Sequence, residues 1–282
     1  MLTSLEIKTP TVFSAPFELS NASILSDPLQ ILNIDGLGPV EASISTSSYA
    51  TLDGETYVGS NVGKRNITLT LGLNPYWTEY SSSSDLRQLA YQYFMPKNEV
   101  TLIFTSTNLP VCEISGYVES VTPNIFSVNP ELQVSIICPF PHFQDVDFTV
   151  VSGDVTQRPT LTTTTIPYIG TVPTGIIIDF RRAYASSSQS VLQVINTTSK
   201  TDSFAITTLV NSTYDVRINT TMGSKSALRV TKATQATSSV MSGVTLASNW
   251  IQLYPGDNLF NASNNLDLVT WDVIYKTKYG GL

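Results

Sequence analysis

The sequence predicts a mainly β protein built as two domains, and three observations carry that reading. Short runs of alternating apolar and polar residues recur along the chain, only one segment has helical spacing, and a Pro- and Thr-rich stretch interrupts the pattern near the middle. In "RNITLTLGL", Ile67, Leu69, Leu71 and Leu73 alternate with Asn66, Thr68, Thr70 and Gly72, which gives an extended strand one apolar face. Comparable runs stand at 99–105, 113–121, 131–138, 174–180, 190–196, 226–232, 249–254 and 268–279. Turn-forming residues separate most of them, as in sandwiches or barrels and not as in alternating strand and helix units.

The single helix is expected in "DLRQLAYQYF". Leu86, Leu89, Ala90, Tyr93 and Phe94 fall at i, i+3, i+4, i+7 and i+8 and form one apolar stripe suited to packing on a sheet. Asp85 is the expected N-cap, with Gln88 completing a capping box, and Pro96 stops the helix. From Phe140 to Pro173 the chain carries Pro141, Pro159, Pro167, Pro173 and "TLTTTT", which sets a boundary near residue 150. The expected domains are 1–147, strands with one short α-helix, and 148–282, all β. A chain of 282 residues is long enough for two cores.

Hydrophobic residues make up 41% of the chain and charged residues only 13%, about half the usual share of roughly 25%. A weakly charged surface loses little solvation when another protein covers it, so the composition suits an assembly component. The net charge of -7 disfavours a phosphate-binding surface, and no stable nucleic-acid partner is expected. Two cysteines cannot form a disulfide framework, and no Cys or His spacing resembles a zinc site, so neither metal nor cofactor is expected. The start "MLTSLEIKTP" lacks the basic and apolar regions of a signal peptide, and no apolar run approaches the roughly 18 residues of a membrane span.

His142, the only histidine, follows Cys138 in "CPFPHF", but Pro139 and Pro141 end the strand there, and a boundary residue explains it better than a catalytic base. "DGLGP" lacks the helix that a nucleotide fingerprint needs, and Asp53-Gly54 reads as a tight turn between strands. Asp257, Asp267 and Asp272 are candidate paired carboxylates, with solvated loop acids as the commoner explanation. No catalytic residue is assigned. Trp250, Tyr254, Trp271 and Tyr275 fit either a glycan-stacking surface or a core; alternation places Trp271, Val273 and Tyr275 on one face and Asp272, Ile274 and Lys276 on the other. A hairpin centred on Ile125 would set Cys112 opposite Cys138, with two buried free thiols expected before a cross-strand disulfide.

The order of motifs carries a resemblance. "ILNIDGLGPVEA", "TLDGETYVG", "GKRNITLTLGL", "LRQLAYQYF", "LIFTS", "ISGYVESV" and "LQVSIICPFPHF" follow one another as in the N-terminal domain of phage distal tail proteins. "IQLYPGDNLF" and "WDVIYKTKYGGL" resemble the closing strands of that family's galectin-like C-terminal domain. The resemblance implies an N-terminal β-sandwich-like domain with one short helix and a C-terminal galectin-like β-sandwich. It also implies a non-enzymatic virion protein at the phage tail tip, made in the host bacterial cytoplasm. Six copies would form a ring between the tail tube and the hub, with a receptor-binding protein as a further neighbour, DNA passing through and no membrane contact. In such proteins the Cys138–Phe143 segment leaves the first domain, which makes His142 part of a joint. The alternative reading is a carbohydrate-binding host-recognition protein of the tail tip.

Overall fold

The computed structural model describes residues 2–9, 17–20, 29–50, 53–73, 82–107, 110–124, 126, 129–155, 162–185, 187–198, 202–264 and 269–282. The described chain is mainly β with one short α-helix. It divides into two compact units, Met1–Val146 together with Tyr279–Leu282, and Asp147–Lys278. The domain bounds expected from the sequence put residues 279–282 in the second domain. They belong to the first because Tyr279 is buried in its core and the Leu282 N–H donates to the Leu37 carbonyl at 3.0 Å.

The first unit contains β1 (Leu2–Lys8), β2 (Phe17–Ser20), β3 (Leu29–Asp35), β4 (Ala42–Ser48), β5 (Glu55–Val62), β6 (Arg65–Leu73), α1 (Ser83–Phe94), β7 (Glu99–Ser106), β8 (Cys112–Asn124), β9 (Glu131–Cys138) and β10 (Phe143–Asp145). Its main sheet runs β2-β1-β7-β8-β9-β6-β3, antiparallel at the pairings β1 with β2 and β7, β7 with β8, β8 with β9, β9 with β6, and β6 with β3. The alternation read in β6 is realised, with Ile67, Leu69 and Leu71 buried beside Leu132, Val134 and Ile136 of β9. Leu86, Ala90, Tyr93 and Phe94 of α1 join the same core. The N-cap lies three residues before the expected one. Ser82 is the N-cap, its side chain accepting from the Asp85 N–H at 3.2 Å and donating to Asp85 Oδ2 at 2.8 Å. A serine cap with an acid at N3 satisfies free backbone donors, which Asp85 and Gln88 had been expected to do.

The expected pairing of Cys112 with Cys138 is not formed. β8 and β9 pair in a register that sets Tyr117 against Ile137 and Val118 against Ile136, with a bulge between Val118 and Ser120. Cys112 instead faces Phe104 and Asp145, while Cys138 lies over Gly116, where an added Cβ would meet its Sγ at 2.8 Å. Both cysteines are free and buried. The one-residue bulge and a loop longer than the assumed hairpin move the register, which residue counting cannot foresee.

β4 and β5 form a two-stranded sheet of their own, and apart from the half-buried Gly59 every residue along both strands is exposed. Asp53 and Gly54 lie in their connection, with Gly54 at φ +99°.

The second unit contains β11 (Thr149–Val155), β12 (Thr162–Tyr168), β13 (Thr174–Gly175), β14 (Ile177–Arg182), β15 (Ser190–Asn196), β16 (Asp202–Thr208), β17 (Tyr214–Asn219), β18 (Ser226–Thr231), β19 (Thr237–Ser239), β20 (Gln252–Leu253), β21 (Gly256–Asn264) and β22 (Val269–Tyr275). They make a six-stranded sheet, β11-β22-β14-β17-β18-β19, a four-stranded sheet, β12-β21-β15-β16, and the pair β13-β20. One apolar cluster draws Phe180, Ile218, Trp271 and Val273 from the larger sheet and Val194, Phe204, Ile206 and Phe260 from the smaller. Ile176, inside a run expected to be one strand, instead separates β13 from β14. β12 lies within the Pro/Thr-rich stretch that marks the boundary in the sequence: its threonines pair along β21 and Ile166 reaches the core.

Candidate functional site

The best-organised polar centre of the first unit is Arg65, at the start of β6 and only 1% exposed. Strand alternation puts it in phase with Ile67, Leu69 and Leu71, so the side chain is driven inward. There its guanidinium donates to four carbonyls: Nε to Pro141 at 2.6 Å, Nη1 to Gly36 at 2.5 Å and Gly38 at 2.6 Å, and Nη2 to Gly280 at 2.5 Å. The same group lies 4.5 Å from the centroid of the Phe143 ring. Burial pulls its pKa below the ordinary arginine value, with the Cys138 sulfur acting the other way, yet an arginine remains a cation at any physiological pH. Five N–H donors in a rigid fork can collect acceptors from several chain segments at once, which a lysine cannot do with the same geometry.

Those segments are the β3 exit turn, the Pro-Phe-Pro joint and the C-terminal residues. Gly36 is at φ +88°, and a Cβ there would stand 2.1 Å from the Asn66 carbonyl oxygen. Gly281 is similarly pressed, with a Cβ position 2.9 Å from the Leu37 carbonyl oxygen. Pro141 supplies an acceptor and Phe143 the ring, so His142 sits between two residues that hold Arg65, four residues before the end of the first unit's main segment. The sequence carries one signal for this centre, an arginine in phase with a buried apolar face.

The aromatic residues proposed for glycan stacking have different surroundings. Trp271 and Tyr275 are buried in the second core, where Tyr275 meets Tyr168 edge-on at 5.8 Å, so neither offers an open face. Trp250 packs against the same core, 5.2 Å from the Phe204 ring, with Lys225 Nζ 5.6 Å from its centroid. Tyr254 donates its hydroxyl to Asp202 Oδ2 at 2.9 Å; burial first, then that carboxylate, push its pKa up to about 12. Of the three carboxylates weighed for acid chemistry, Asp257 is exposed, Asp267 lies outside the described residues, and Asp272 is bound by Arg181 at 2.5 Å and by the Ser152 hydroxyl at 2.6 Å. Among the described residues, no group of three or more His, Cys, Asp or Glu is placed to hold a metal, and no helix is long and apolar enough to cross a membrane.

No protein-family model matches the sequence, and no curated protein matches it. Solved structures do. The Dit protein (gp 19.1) of phage SPP1, described as a paradigm of the hub adsorption apparatus in phages infecting Gram-positive bacteria, superposes with a TM-score of 0.65. The match is 15% identical in sequence and covers 97% of this chain and 98% of that one. The chain has the fold of SPP1 Dit. A chain of the phage P2 baseplate in its activated conformation also matches, with a TM-score of 0.45 at 8% identity, over 97% of this chain and 98% of that chain.

On this Dit fold, the six-stranded sheet carries a ladder of charges on the face opposite its core. Arg217 grips Asp179 through two bonds, Nε to Oδ1 at 2.7 Å and Nη2 to Oδ2 at 2.6 Å. Asp179 stands directly opposite Asp272 across β14 and β22, and Arg181 bridges the two acids, 2.5 Å from Asp272 and 3.9 Å from Asp179. Like charges facing across a strand pair repel, and the arginines convert that clash into a net attraction.

Proposed function

We propose that this protein is a structural, non-catalytic component of a phage tail tip, in which six copies form a ring joining the tail tube to the hub and host-recognition apparatus. The observation that carries the proposal is the agreement of fold with SPP1 Dit over nearly the whole of both chains. The first unit, a β-sandwich-like domain, would form the ring, and the second, a galectin-like β-sandwich, would project from it. A charge-poor composition supports burial against neighbours, and the acidic balance favours free passage of DNA through a ring. Tube protein, hub protein and a receptor-binding protein are the partners of this reading, and the virion tail tip is its location. Direct carbohydrate recognition is the weaker reading, because two of its four aromatic residues are enclosed in the core.

Electron microscopy of the purified protein tests the proposal. Open-centred rings with six-fold symmetry and a mass near six times the 30.7 kDa chain are expected. A protein that stays monomeric and binds neither tube nor hub protein would refute it.

A further inference from the structure

A polar cleft of about 490 Å³ opens in the second unit, lined from both of its main sheets. The smaller sheet contributes Gln189, just before β15, and Thr208 at the end of β16; the larger contributes Arg229 of β18 and Val240, just after β19. The turn Met241–Gly243 closes one side. That turn is fastened at both ends, the Val240 N–H donating to the Ala227 carbonyl at 2.9 Å and the Thr245 N–H to the Ala205 carbonyl at 2.9 Å. A Cβ on Gly243 would stand 2.2 Å from the Thr207 carbonyl oxygen, so the turn lies directly on β16. The walls are set by main-chain contacts, which lowers the ordering cost of filling a cleft. Its volume is that of a small-molecule site, commonly about 300–1,000 Å³.

The charge of the cleft differs from that of the chain. Arg229 stands opposite the buried Val216 across β17 and β18, so it lies on the inner face of its sheet. Its guanidinium is 4.7 Å from the ring centroid of Tyr214, the diagonal neighbour on that face. Stacking on a ring leaves the in-plane N–H donors of an arginine available. Asp215 alternates to the other face, where it lies 3.1 Å from Lys232. Arg181 and Arg217 are each matched by an acid, whereas no residue lining the cleft is acidic and, among the described residues, Arg229 joins no ion pair. In a chain of net charge -7, this leaves one guanidinium fork open to an acid from outside.

The neighbouring hydroxyls point the same way. Thr208 faces Ser190 across β15 and β16, both are buried, and Ser190 Oγ is enclosed without a hydrogen-bond partner. Buried polar groups are nearly always bonded, so this wall has more hydrogen-bonding capacity than the chain itself uses.

We propose that the cleft binds a small hydroxylated acid, a sugar carrying one carboxylate or one phosphate group. Arg229 takes the anionic group through two parallel bonds, and Gln189, Thr208 and Ser242 meet the hydroxyls. Recognition is by charge and hydrogen bonds, so the site is separate from Trp250, Tyr254, Trp271 and Tyr275. The proposal goes beyond the ring reading and does not depend on it.

Calorimetric titration of the whole chain with glucuronate and with glucose 6-phosphate, at matched salt and with glucose as the neutral control, tests this. At least one of the acids is expected to bind at about 1 mM or tighter, and at least about tenfold more tightly than glucose. Glucuronate alone would assign a carboxylate ligand and glucose 6-phosphate alone a phosphate ester, each in support. Arg229→Gln is expected to weaken that binding at least about tenfold, with Arg229→Lys intermediate because it keeps the charge without the fork. Arg87→Gln, on α1 of the other unit, should leave it unchanged. Ser242 is exposed, so Ser242→Trp fills the cleft without altering the core or the charge, and should abolish binding at an unchanged melting temperature. Binding of neither acid, no preference over glucose, sulfate binding as tightly as the sugar acids, or binding that survives Arg229→Gln or Ser242→Trp would overturn the proposal. None of these results would bear on whether six copies form a ring.

Discussion

Replacing Arg65 with methionine should weaken the first unit selectively. The side chain keeps much of its volume but loses every bond to the carbonyls of Gly36, Gly38, Pro141 and Gly280, together with its contact to the Phe143 ring. A buried acceptor deprived of its donor costs roughly 1–3 kcal/mol, so four acceptors give a large gross loss. Against this, the cation no longer has to be held out of water, a relief of several kcal/mol. The net expectation is a loss of about 2–4 kcal/mol, with Arg65→Lys intermediate because an ammonium offers three donors without the planar fork. Urea unfolding followed by probes in each unit measures it. The transition of the first unit should move to lower urea at unchanged slope, while that of the second stays in place. Truncating Gly280–Leu282 removes one of the four acceptors, so the two changes should combine less than additively. An Arg65→Met protein as stable as wild type within about 0.5 kcal/mol would show that the four bonds only break even against burial of the charge.

Three further outcomes follow from the geometry. Gly36→Ala should destabilise the first unit far more than Gly54→Ala, since both have positive φ but only Gly36 would push its Cβ to 2.1 Å from a carbonyl oxygen; thermal melts of the two variants make the comparison. The thiols of Cys112 and Cys138, which burial first of all pushes up to about 11, should react with a disulfide reagent at pH 8 only after unfolding, and prompt labelling of folded protein would contradict their burial. Tyr254, raised to about 12, favours folding in its neutral form: this contribution is complete below the ordinary tyrosine value near 10 and declines as pH rises towards 12. Tyr254→Phe should accordingly flatten the fall in stability across that alkaline range, measured by urea midpoints at stepped pH.

The sequence disclosed elements wherever one face was consistently apolar. β9 and β15 coincide with runs at 131–138 and 190–196, because burial on alternate positions leaves a period that one strand's residues record by themselves. β12 was missed for the opposite reason: its threonines show no period in hydrophobicity, and its strand state depends on β21, a partner distant in sequence. β4 has no such period either and was implied only by the Asp53-Gly54 turn that joins it to β5. The helix was found but its cap was not, since Ser82 and Asp85 both suit an N-terminus and only geometry chooses between them. Trp271 and Tyr275 were rightly given one face by alternation, but that pattern cannot distinguish a face turned to a core from one turned to a ligand. The Arg65 centre was legible in phase and illegible in purpose, because its acceptors come from segments 27 to 215 residues away.

The return of the C-terminus has a consequence for how the molecule can be divided. Since Tyr279–Leu282 belong to the first unit, the second is an insertion between Val146 and Tyr279, and not a domain appended to the end of the first. Phe143 and Tyr279 are buried in the same cluster, and Val146 is fixed by its N–H bond to the Val111 carbonyl, so the two points where the insertion leaves and re-enters are both anchored in one core. A protein in which residue 146 is joined to residue 279 by a short Gly/Ser linker should therefore fold as the first unit alone, with Arg65 still gripping Gly280. Simple truncation after residue 146 should be less stable, because it removes the Gly280 acceptor and leaves the Leu37–Pro39 turn without the segment packed on it. Cooperative urea unfolding of the spliced protein, at a higher midpoint than the truncated one, is the expected result. Equal midpoints would mean that the last four residues follow the fold without helping to hold it.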